Sequence, residues 1–414
     1  MQYSNTASLQ RAGAPVRALD RLARGAVLQR FGDGLNGGRL VVRDADGEWA
    51  LGRPGPRDAE VAVHAGAFWR MLATGGSVGA GEAYIAGLWD SPDLVAVIRL
   101  LAANRTAMDR IEAGSARLYG WALKGLHRLA RNTLGGARRN IAAHYDLGND
   151  FFAAWLDERM QYSSALFAQP DMSLEQAQEA KLSRIAERLA LAPDDHLLEI
   201  GTGWGGLAVY MAQRVGCRVT TTTISAEQYA HACDAVRRAG VSDRVEVLQR
   251  DYRELAGRYD KIVSVEMIEA VGAEYLGTYL AAIRDRLRPD GVALIQAITI
   301  EDYRYRAALK SVDFIKRHIF PGSFIPSVSA ITDAMARHTD LGLIELFDFG
   351  DSYARTLACW RRRFEAGWEE IRMHGFDDAF RRRWRYYLAY CEGGFRERAI
   401  SDVHLLLAGP EWRR

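Results

Sequence analysis

The chain contains the segment His196-Leu197-Leu198-Glu199-Ile200-Gly201-Thr202-Gly203-Trp204-Gly205-Gly206. Its first five residues are mostly apolar and predict a short buried strand, and residues 207–212 predict the helix that follows. The glycines between them let the backbone approach a ligand with no Cβ in the way. A strand, a glycine turn and a helix in this order predict a cofactor site at the turn, within an α/β fold.

The glycine turn is compatible with two classes of cofactor. Gly201, Gly203 and Gly206 match the Gly-x-Gly-x-x-Gly pattern of NAD and FAD domains. Such a domain needs an acidic residue about 20 positions further on, at the end of the next strand, but residues 218–223 end in threonines. Glu199 instead stands at the carboxyl end of the first strand, where it attracts the positively charged amino acid end of S-adenosylmethionine (SAM). We therefore favour SAM over a dinucleotide.

Composition and charge limit the function classes. The 414 residues are 49% apolar, enough for two or three domains. The 54 Lys and Arg residues nearly balance the 52 Asp and Glu residues, which speaks against a nucleic-acid partner. The four cysteines lack Cys-x-x-Cys spacing, so we expect reduced thiols, a cytoplasmic protein and no metal site. Because no apolar run reaches about 18 residues, we expect any membrane contact to be peripheral.

The chain divides into three predicted parts. Residues 1–110 predict an N-terminal α+β accessory domain, with a hairpin around Asp44-Ala45-Asp46-Gly47, helices at 64–74 and 94–104, and a loop at 79–90. Residues 111–140 predict a basic helical linker, which is either an ordinary packed helix or a membrane-surface helix. Residues 141–414 predict the catalytic domain.

The predicted catalytic domain alternates strands and helices, which is typical of a doubly wound, Rossmann-like class I methyltransferase sheet. The candidate strands are 196–200, 218–222, 245–248, 261–265, 292–298, 343–349 and 356–358, and the chain after Ala358 is predicted to be helical. Parallel sheets of this type bind ligands outside the carboxyl ends of their strands. We therefore expect Glu199, Thr223, Asp251 and residues 266–269 to meet in one crevice.

Six ordered motifs resemble those of one family. They are His144-Tyr145-Asp146-Leu147-Gly148-Asn149-Asp150, Met160-Gln161-Tyr162-Ser163-Ser164, Gly201-Thr202-Gly203-Trp204-Gly205-Gly206, Thr223-Ile224-Ser225-Ala226-Glu227-Gln228, Asp251-Tyr252-Arg253 and Phe320-Pro321-Gly322. From about residue 80 to its end the chain resembles cyclopropane fatty acyl phospholipid synthases and the related mycolic acid methyltransferases. The resemblance implies a SAM-dependent C-methyltransferase that acts on the cis double bond of an unsaturated acyl chain in a phospholipid.

The resemblance, together with the strand-end position of Glu199, predicts a set of cofactor-binding residues. These are Tyr162, Ser163, Glu199, Gly201, Gly203, Thr223, Gln228, Asp251 and Tyr252. By position, the two glycines face the methionine part, Gln228 the ribose hydroxyls, and Asp251 and Tyr252 the adenine. For Tyr252 a plain packing role is the alternative.

Members of the family hold a bicarbonate ion as the base, and the resemblance assigns its pocket to five positions. Three match the family: Glu269, the backbone of Ile298, and Tyr353. The family's cysteine and histidine positions hold Ser164 and Gln296, and neither side chain carries positive charge. We therefore expect bicarbonate to be held more weakly, or Glu269 itself to be the base. Glu266 is either a second carboxylate of this pocket or a surface residue.

These departures leave several outcomes open. We expect methyl transfer to be retained. Among the products, we expect a methyl-branched unsaturated acyl chain at least as often as a cyclopropane, and a methylene product is also compatible with the sequence. The expected partner is an unsaturated phospholipid at the inner face of the membrane, engaged in part through Trp89 and the loop before it, and a homodimer is compatible with the sequence. The competing interpretations are a catalytically decayed SAM-fold lipid-binding protein and a small-molecule methyltransferase.

Overall fold

The computed structural model describes residues 18–31, 35–105 and 147–413. These residues form two compact units: unit 1 contains 18–31, 35–105 and 376–397, and unit 2 contains 147–375 and 398–413. The predicted basic linker helix and the first three residues of the His144 motif lie outside the described residues. The residues predicted to bind the cofactor or to act in catalysis all belong to unit 2.

Unit 1 contains a four-stranded sheet with strand order β2-β1-β3-β4. Its strands are β1 (Arg39–Asp44), β2 (Gly47–Gly52), β3 (Ala59–Val63) and β4 (Trp89–Asp90), and its first helices are α1 (Ala18–Phe31), α2 (Ala67–Ile85) and α3 (Leu94–Ala103). Strands β1 and β2 form the predicted antiparallel hairpin. The predicted loop at 79–90 is wrong in its first part, because α2 continues to Ile85 despite its glycines. Burial of Ala83 and Tyr84 outweighs the low helix propensity of glycine there.

Unit 2 is built around a seven-stranded sheet with strand order β10-β11-β9-β8-β5-β6-β7. Its strands are β5 (His196–Ile200), β6 (Arg218–Thr223), β7 (Val245–Gln249), β8 (Tyr259–Val265), β9 (Leu287–Ile300), β10 (Gly342–Asp348) and β11 (Ile400–Ala408). Strands β5 to β9 pair in parallel, whereas β11 is antiparallel to both β9 and β10. The predicted doubly wound α/β fold is confirmed, with a mixed edge.

The helices of unit 2 cover both faces of this sheet. They are α4 (Asn149–Ala153), α5 (Leu174–Arg188), α6 (Gly206–Arg214), α7 (Ala226–Arg238), α8 (Leu276–Arg286), α9 (Asp302–Leu309), α10 (Phe314–His318), α11 (Val328–His338), α12 (Gly350–Ala366) and α13 (Trp368–Met373). Apolar side chains of α5, α6 and α7 pack on one face, and those of α8 and α11 pack on the other. Two apolar layers therefore hold the strand ends in fixed positions.

Two predictions about the end of the chain are wrong. Residues 356–358, predicted as a strand, lie inside helix α12, and β11, predicted as helical, is a strand between β9 and β10. A short apolar run such as residues 403–408 does not distinguish a strand from a buried helix by its periodicity. Its pairing with two neighbouring strands decides the matter.

The last helix, α14 (Asp378–Arg396), belongs to unit 1. Within that unit the Arg382 guanidinium donates to the Trp89 carbonyl oxygen (2.7 Å) and to Asp90 Oδ1 (2.9 Å). The Glu397 carboxylate accepts hydrogen bonds from Arg57 and Arg99, both at 2.8 Å. The sequence-based division placed this segment in the catalytic domain, whereas ion pairs with distant residues join it to unit 1. Among the described residues, no helix has the length and apolarity needed to cross a bilayer.

Candidate active site

The glycine turn after β5 adopts backbone conformations that suit glycine. Gly201, Gly203 and Gly205 have φ values of 101°, 52° and 90°, in the region that side chains disfavour. A Cβ on Gly206 would stand 2.5 Å from the carbonyl oxygen of Arg159. The turn is therefore closely packed at Gly206 and leads directly into the N-terminus of α6, a position suited to cofactor binding.

Glu199 lies one residue before the end of β5 and is 3% exposed. Its Oε2 accepts a hydrogen bond from Thr221 Oγ1 (2.6 Å), and Thr221 Oγ1 is 2.7 Å from Thr202 Oγ1. Burial raises the pKa of Glu199 to about 8. A bound cation would offset this cost of burial, so Glu199 fits the amino acid end of SAM. Strand β6, which ends in threonines and has no acidic residue for a ribose, thus holds Glu199 in place through Thr221.

The residues assigned to the ribose and adenine lie at the ends of β6 and β7. Thr223 Oγ1 donates to Gln228 Oε1 (2.8 Å), and both residues are buried. Asp251 is 2% exposed, and Arg253 donates to its two carboxylate oxygens at 2.8 and 2.7 Å. The Tyr252 ring packs edge-on against Tyr279, with centroids 5.7 Å apart. The structure thus places these side chains at the expected edge, and Tyr252 also makes a packing contact.

A buried lysine, which sequence analysis missed, holds the Tyr162-Ser163 segment. Lys181 on α5 is 0% exposed, and its Nζ donates to Ser163 Oγ (2.7 Å) and to Gln161 Oε1 (3.2 Å). Burial lowers the pKa of Lys181 to about 8, against the opposing effect of nearby carboxylates, Glu266 first among them. The sequence could have indicated this role, because Lys181 lies on the buried face of α5 and a lysine there needs polar partners. The Tyr162 ring lies 5.4 Å from Trp360.

Glu266, just after β8, is the centre of a polar cluster. Its Oε2 accepts a hydrogen bond from the Tyr353 hydroxyl (2.6 Å). Its Oε1 accepts from Gln296 Nε2 (2.8 Å) and from the backbone N–H of Ser164 (2.7 Å). All three donors belong to buried residues and Glu266 itself is partly buried, so its carboxylate lies in this pocket rather than on the open surface. Burial raises its pKa, and the hydrogen bonds oppose that rise.

Glu269 lies beside this cluster but is held differently. Its Oε1 accepts a hydrogen bond from the backbone N–H of Ile298 (2.6 Å). Its Oε2 is buried and has no hydrogen-bond partner among the described residues. Burial, followed by the charge of Glu266, raises the pKa of Glu269 to about 8. Near neutral pH, Glu269 is therefore mostly the neutral acid.

Gln296 on β9 connects the cluster to two further residues that sequence analysis missed. Its Nε2 donates to Asp402 Oδ2 (2.9 Å) as well as to Glu266, and its Oε1 lies 3.1 Å from His404 Nε2. Gln296 and His404 are directly paired across β9 and β11. Burial lowers the pKa of His404 to about 3, and burial together with Glu266 raises the pKa of Asp402. Neutral His404 therefore donates from Nε2 to the amide oxygen, which fixes the orientation of Gln296.

The five positions assigned to bicarbonate come together, but their donors do not fit a separate anion. The Ser164 N–H, Gln296 Nε2 and Tyr353 hydroxyl donate to Glu266, and the Ile298 N–H donates to Glu269. The Ser164 hydroxyl donates to the carbonyl oxygen of Ala165 (3.0 Å). Of these donors, four thus already donate their hydrogen bonds to carboxylates of the chain itself, and the fifth donates to a backbone carbonyl.

Known proteins with similar sequences and structures agree with this arrangement. The family model for mycolic acid cyclopropane synthetase matches residues 133–405. The tuberculostearic acid methyltransferase UfaA1 of Mycobacterium tuberculosis is 40% identical over 388 residues, covering 90% of this chain and 88% of that protein. The cyclopropane-fatty-acyl-phospholipid synthase of Escherichia coli K12 is 37% identical over 349 residues, covering 84% of this chain and 87% of that protein.

Solved structures extend the agreement to the fold of the catalytic part. The cyclopropane synthase MmaA2 from Mycobacterium tuberculosis is 28% identical with a TM-score of 0.61, covering 66% of this chain and 98% of that one. The mycolic acid cyclopropane synthase CmaA1, complexed with SAH and CTAB, is 27% identical with the same TM-score of 0.61 and the same coverage. The predicted resemblance is confirmed: the chain belongs to the mycolic acid cyclopropane synthetase family and is a SAM-dependent C-methyltransferase of the cyclopropane fatty acid synthase type.

Proposed function

We propose that this enzyme transfers a methyl group from SAM to the cis double bond of an unsaturated fatty acyl chain in a membrane phospholipid. The observation that carries the proposal is a cluster of three carboxyl groups, those of the partly buried Glu266 and Glu269 and of the buried Asp402, in the same unit as the Glu199 turn. The E. coli relative, whose name states a fatty-acyl-phospholipid reaction, covers most of the chain and supports this substrate class.

This site suits a substrate that has no acidic proton. An alkene cannot be activated by deprotonation, so the enzyme must align it with the methyl donor in a dry pocket. When bound, SAM supplies an electrophilic methyl group and leaves as a neutral thioether. The resulting carbocation needs negative charge or aromatic faces nearby. The Glu266 carboxylate, which accepts three hydrogen bonds, meets the first need, and the rings of Tyr162, Trp360 and Phe320 provide a source for the second.

The cofactor is proposed to lie across the glycine turn. Glu199 would bind its amino group, and the backbone at Gly201 and Gly203 would follow its methionine part. Gln228, oriented by its hydrogen bond with Thr223, would contact the ribose hydroxyls. Asp251 and Tyr252 would border the adenine. Tyr162 and Ser163 complete the set of proposed cofactor contacts.

The proposed product is a methyl-branched unsaturated chain or a cyclopropane chain. The site keeps carboxylates near the reacting centre but has glutamine and serine in place of histidine and cysteine. The relative named tuberculostearic acid methyltransferase supports the branched product. Since the substrate resides in a bilayer, we place the enzyme at the inner surface of the membrane.

The test is incubation of the full chain with methyl-labelled SAM and vesicles of an unsaturated phospholipid, followed by mass spectrometry of the acyl esters. The expected result is a mass gain of one CH₂ per labelled chain, and ozonolysis then distinguishes a branched alkene from a ring. Vesicles of the matched saturated phospholipid serve as the control. Binding of SAM by calorimetry without transfer to any unsaturated lipid would refute the proposal.

A further inference from the structure

The hydrogen-bond donors expected to surround a bicarbonate ion converge on a side chain instead. The Ser164 N–H, Gln296 Nε2 and Tyr353 hydroxyl meet the Glu266 carboxylate at 2.7, 2.8 and 2.6 Å. They come from a loop, from strand β9 and from helix α12, so the convergence is not a feature of one local segment. Three donors directed at one planar group form the kind of site that binds a small carboxylate.

Hydrogen bonding favours Glu266 as the charged member of the cluster. Glu266 accepts three hydrogen bonds, whereas Glu269 and Asp402 each accept one from the described residues. Hydrogen bonds to a carboxylate stabilise its ionised form. Lys181 adds a favourable positive charge. Among the described residues Oε2 accepts a hydrogen bond from Tyr353 alone, so it retains a lone pair that can take a proton.

The backbone of Glu266 is a second, independent observation. Its φ of 47° lies in the left-handed region, which a residue other than glycine occupies at a cost. Its N–H donates to the Gln296 carbonyl oxygen at 2.9 Å, which fixes the residue against β9. Strain of this kind is concentrated at functional positions. The fold thus holds a glutamate where glycine would fit more easily.

We propose that the Glu266 carboxylate takes the place of the bicarbonate ion and is the catalytic base of this enzyme. The inference rests on the proposed function. Methyl transfer uses the electron pair of the double bond and leaves a positive charge on the neighbouring carbon. A C–H bond then breaks, either on a carbon next to that charge or on the new methyl group. Its electron pair forms a new double bond in the first case and closes a ring in the second, and the proton passes to Glu266 Oε2.

The test combines two measurements on the full chain. In the first, the wild-type enzyme is assayed on unsaturated phospholipid vesicles in buffer freed of bicarbonate, and then with bicarbonate added back. We expect the two rates to agree. In the second, Glu266→Gly removes the carboxylate, while its backbone conformation suits glycine. We expect a loss of roughly 10²- to 10⁴-fold, the range for removal of a general base.

The glycine variant offers a chemical rescue. Removal of the side chain takes away the acceptor that three donors share, so we expect added formate, acetate or bicarbonate to restore at least about tenfold of the lost rate. Calorimetry with SAM checks that the variant is folded. Glu179→Gln, at an exposed ion pair with Arg214, is the matched control and should keep the wild-type rate.

Three results would overturn the proposal. They are a wild-type rate that depends on bicarbonate, a Glu266→Gly variant within about threefold of wild type, and a variant that binds SAM but regains no activity with any of the three anions. If Glu266→Gly does not fold, the bicarbonate dependence of the wild type alone decides. A wild-type enzyme that methylates no lipid would instead contradict the proposed function, so the two failures are distinguishable.

Discussion

The hydroxyl of Tyr353 provides a quantitative test of how Glu266 is tuned. It donates to Glu266 Oε2 at 2.6 Å, and Tyr353 is 6% exposed. Tyr353→Phe removes this donor but keeps the ring, which packs edge-on against Trp360 with centroids 6.1 Å apart. The substitution therefore changes the charge balance at Glu266 while leaving the packing largely intact.

The size of the effect follows from this hydrogen bond. A hydrogen bond to a charged group contributes about 1.5–3 kcal/mol, and 1.36 kcal/mol corresponds to one pKa unit. Loss of the hydroxyl disfavours the ionised form, so the pKa of Glu266 should rise by about one to two units. Because a base acts only when ionised, the rising limb of the rate profile should move to higher pH by the same amount.

The assay is the pH dependence of kcat, measured by transfer of labelled methyl groups to lipid at saturating SAM. Below the midpoint the variant should be about 10- to 100-fold slower, and at high pH its rate should approach that of wild type. Tyr259→Phe is the control, since it removes a buried hydroxyl at the opposite end of β8. A uniform loss at every pH, with no displacement of the limb, would refute the reasoning.

The other predictions concern the cofactor and stability. Glu199→Gln should weaken SAM binding about 10- to 100-fold, because the substitution removes a hydrogen bond to a charged group. Calorimetry at constant pH measures the affinity. An unchanged affinity would exclude Glu199 from the cofactor site. Lys181 has a pKa of about 8 in the fold against its ordinary 10.5, so between these pH values the unfolded chain binds the extra proton. Stability should then rise with pH by about 3 kcal/mol relative to Lys181→Met, and urea unfolding at pH 8 and 10.5 checks the sign. Gly206→Ala should lower the free energy of unfolding by about 1–3 kcal/mol because the added Cβ would meet the backbone of Arg159. Gly342→Ala is the control: its Cβ would point into open space, so the free energy of unfolding should change by less than about 0.5 kcal/mol. Thermal unfolding of both variants measures the two changes.

The sequence by itself determined the central part of the fold and predicted the place of the proposed cofactor site. The alternation of short apolar strands with helices, and the turn after β5, depend on local patterns that are visible along the chain. Glu199 was predicted to bind the cofactor for the same reason, since this prediction follows from its place at a strand end. The order of residues also predicted that Thr223, Asp251 and residues 266–269 lie at one edge.

Only the tertiary structure decided which groups touch. Gln296 and His404 are 108 positions apart in the chain, and only the pairing of β11 with β9 brings them together. Asp402 joins the cluster through the same pairing, and helix α14 joins unit 1 through ion pairs with distant residues. Local patterns report the periodicity of one segment, whereas hydrogen bonds and charge burial depend on the partners that folding supplies. The direction of three donors toward Glu266 is therefore a property of the assembled sheet, and no single segment encodes it.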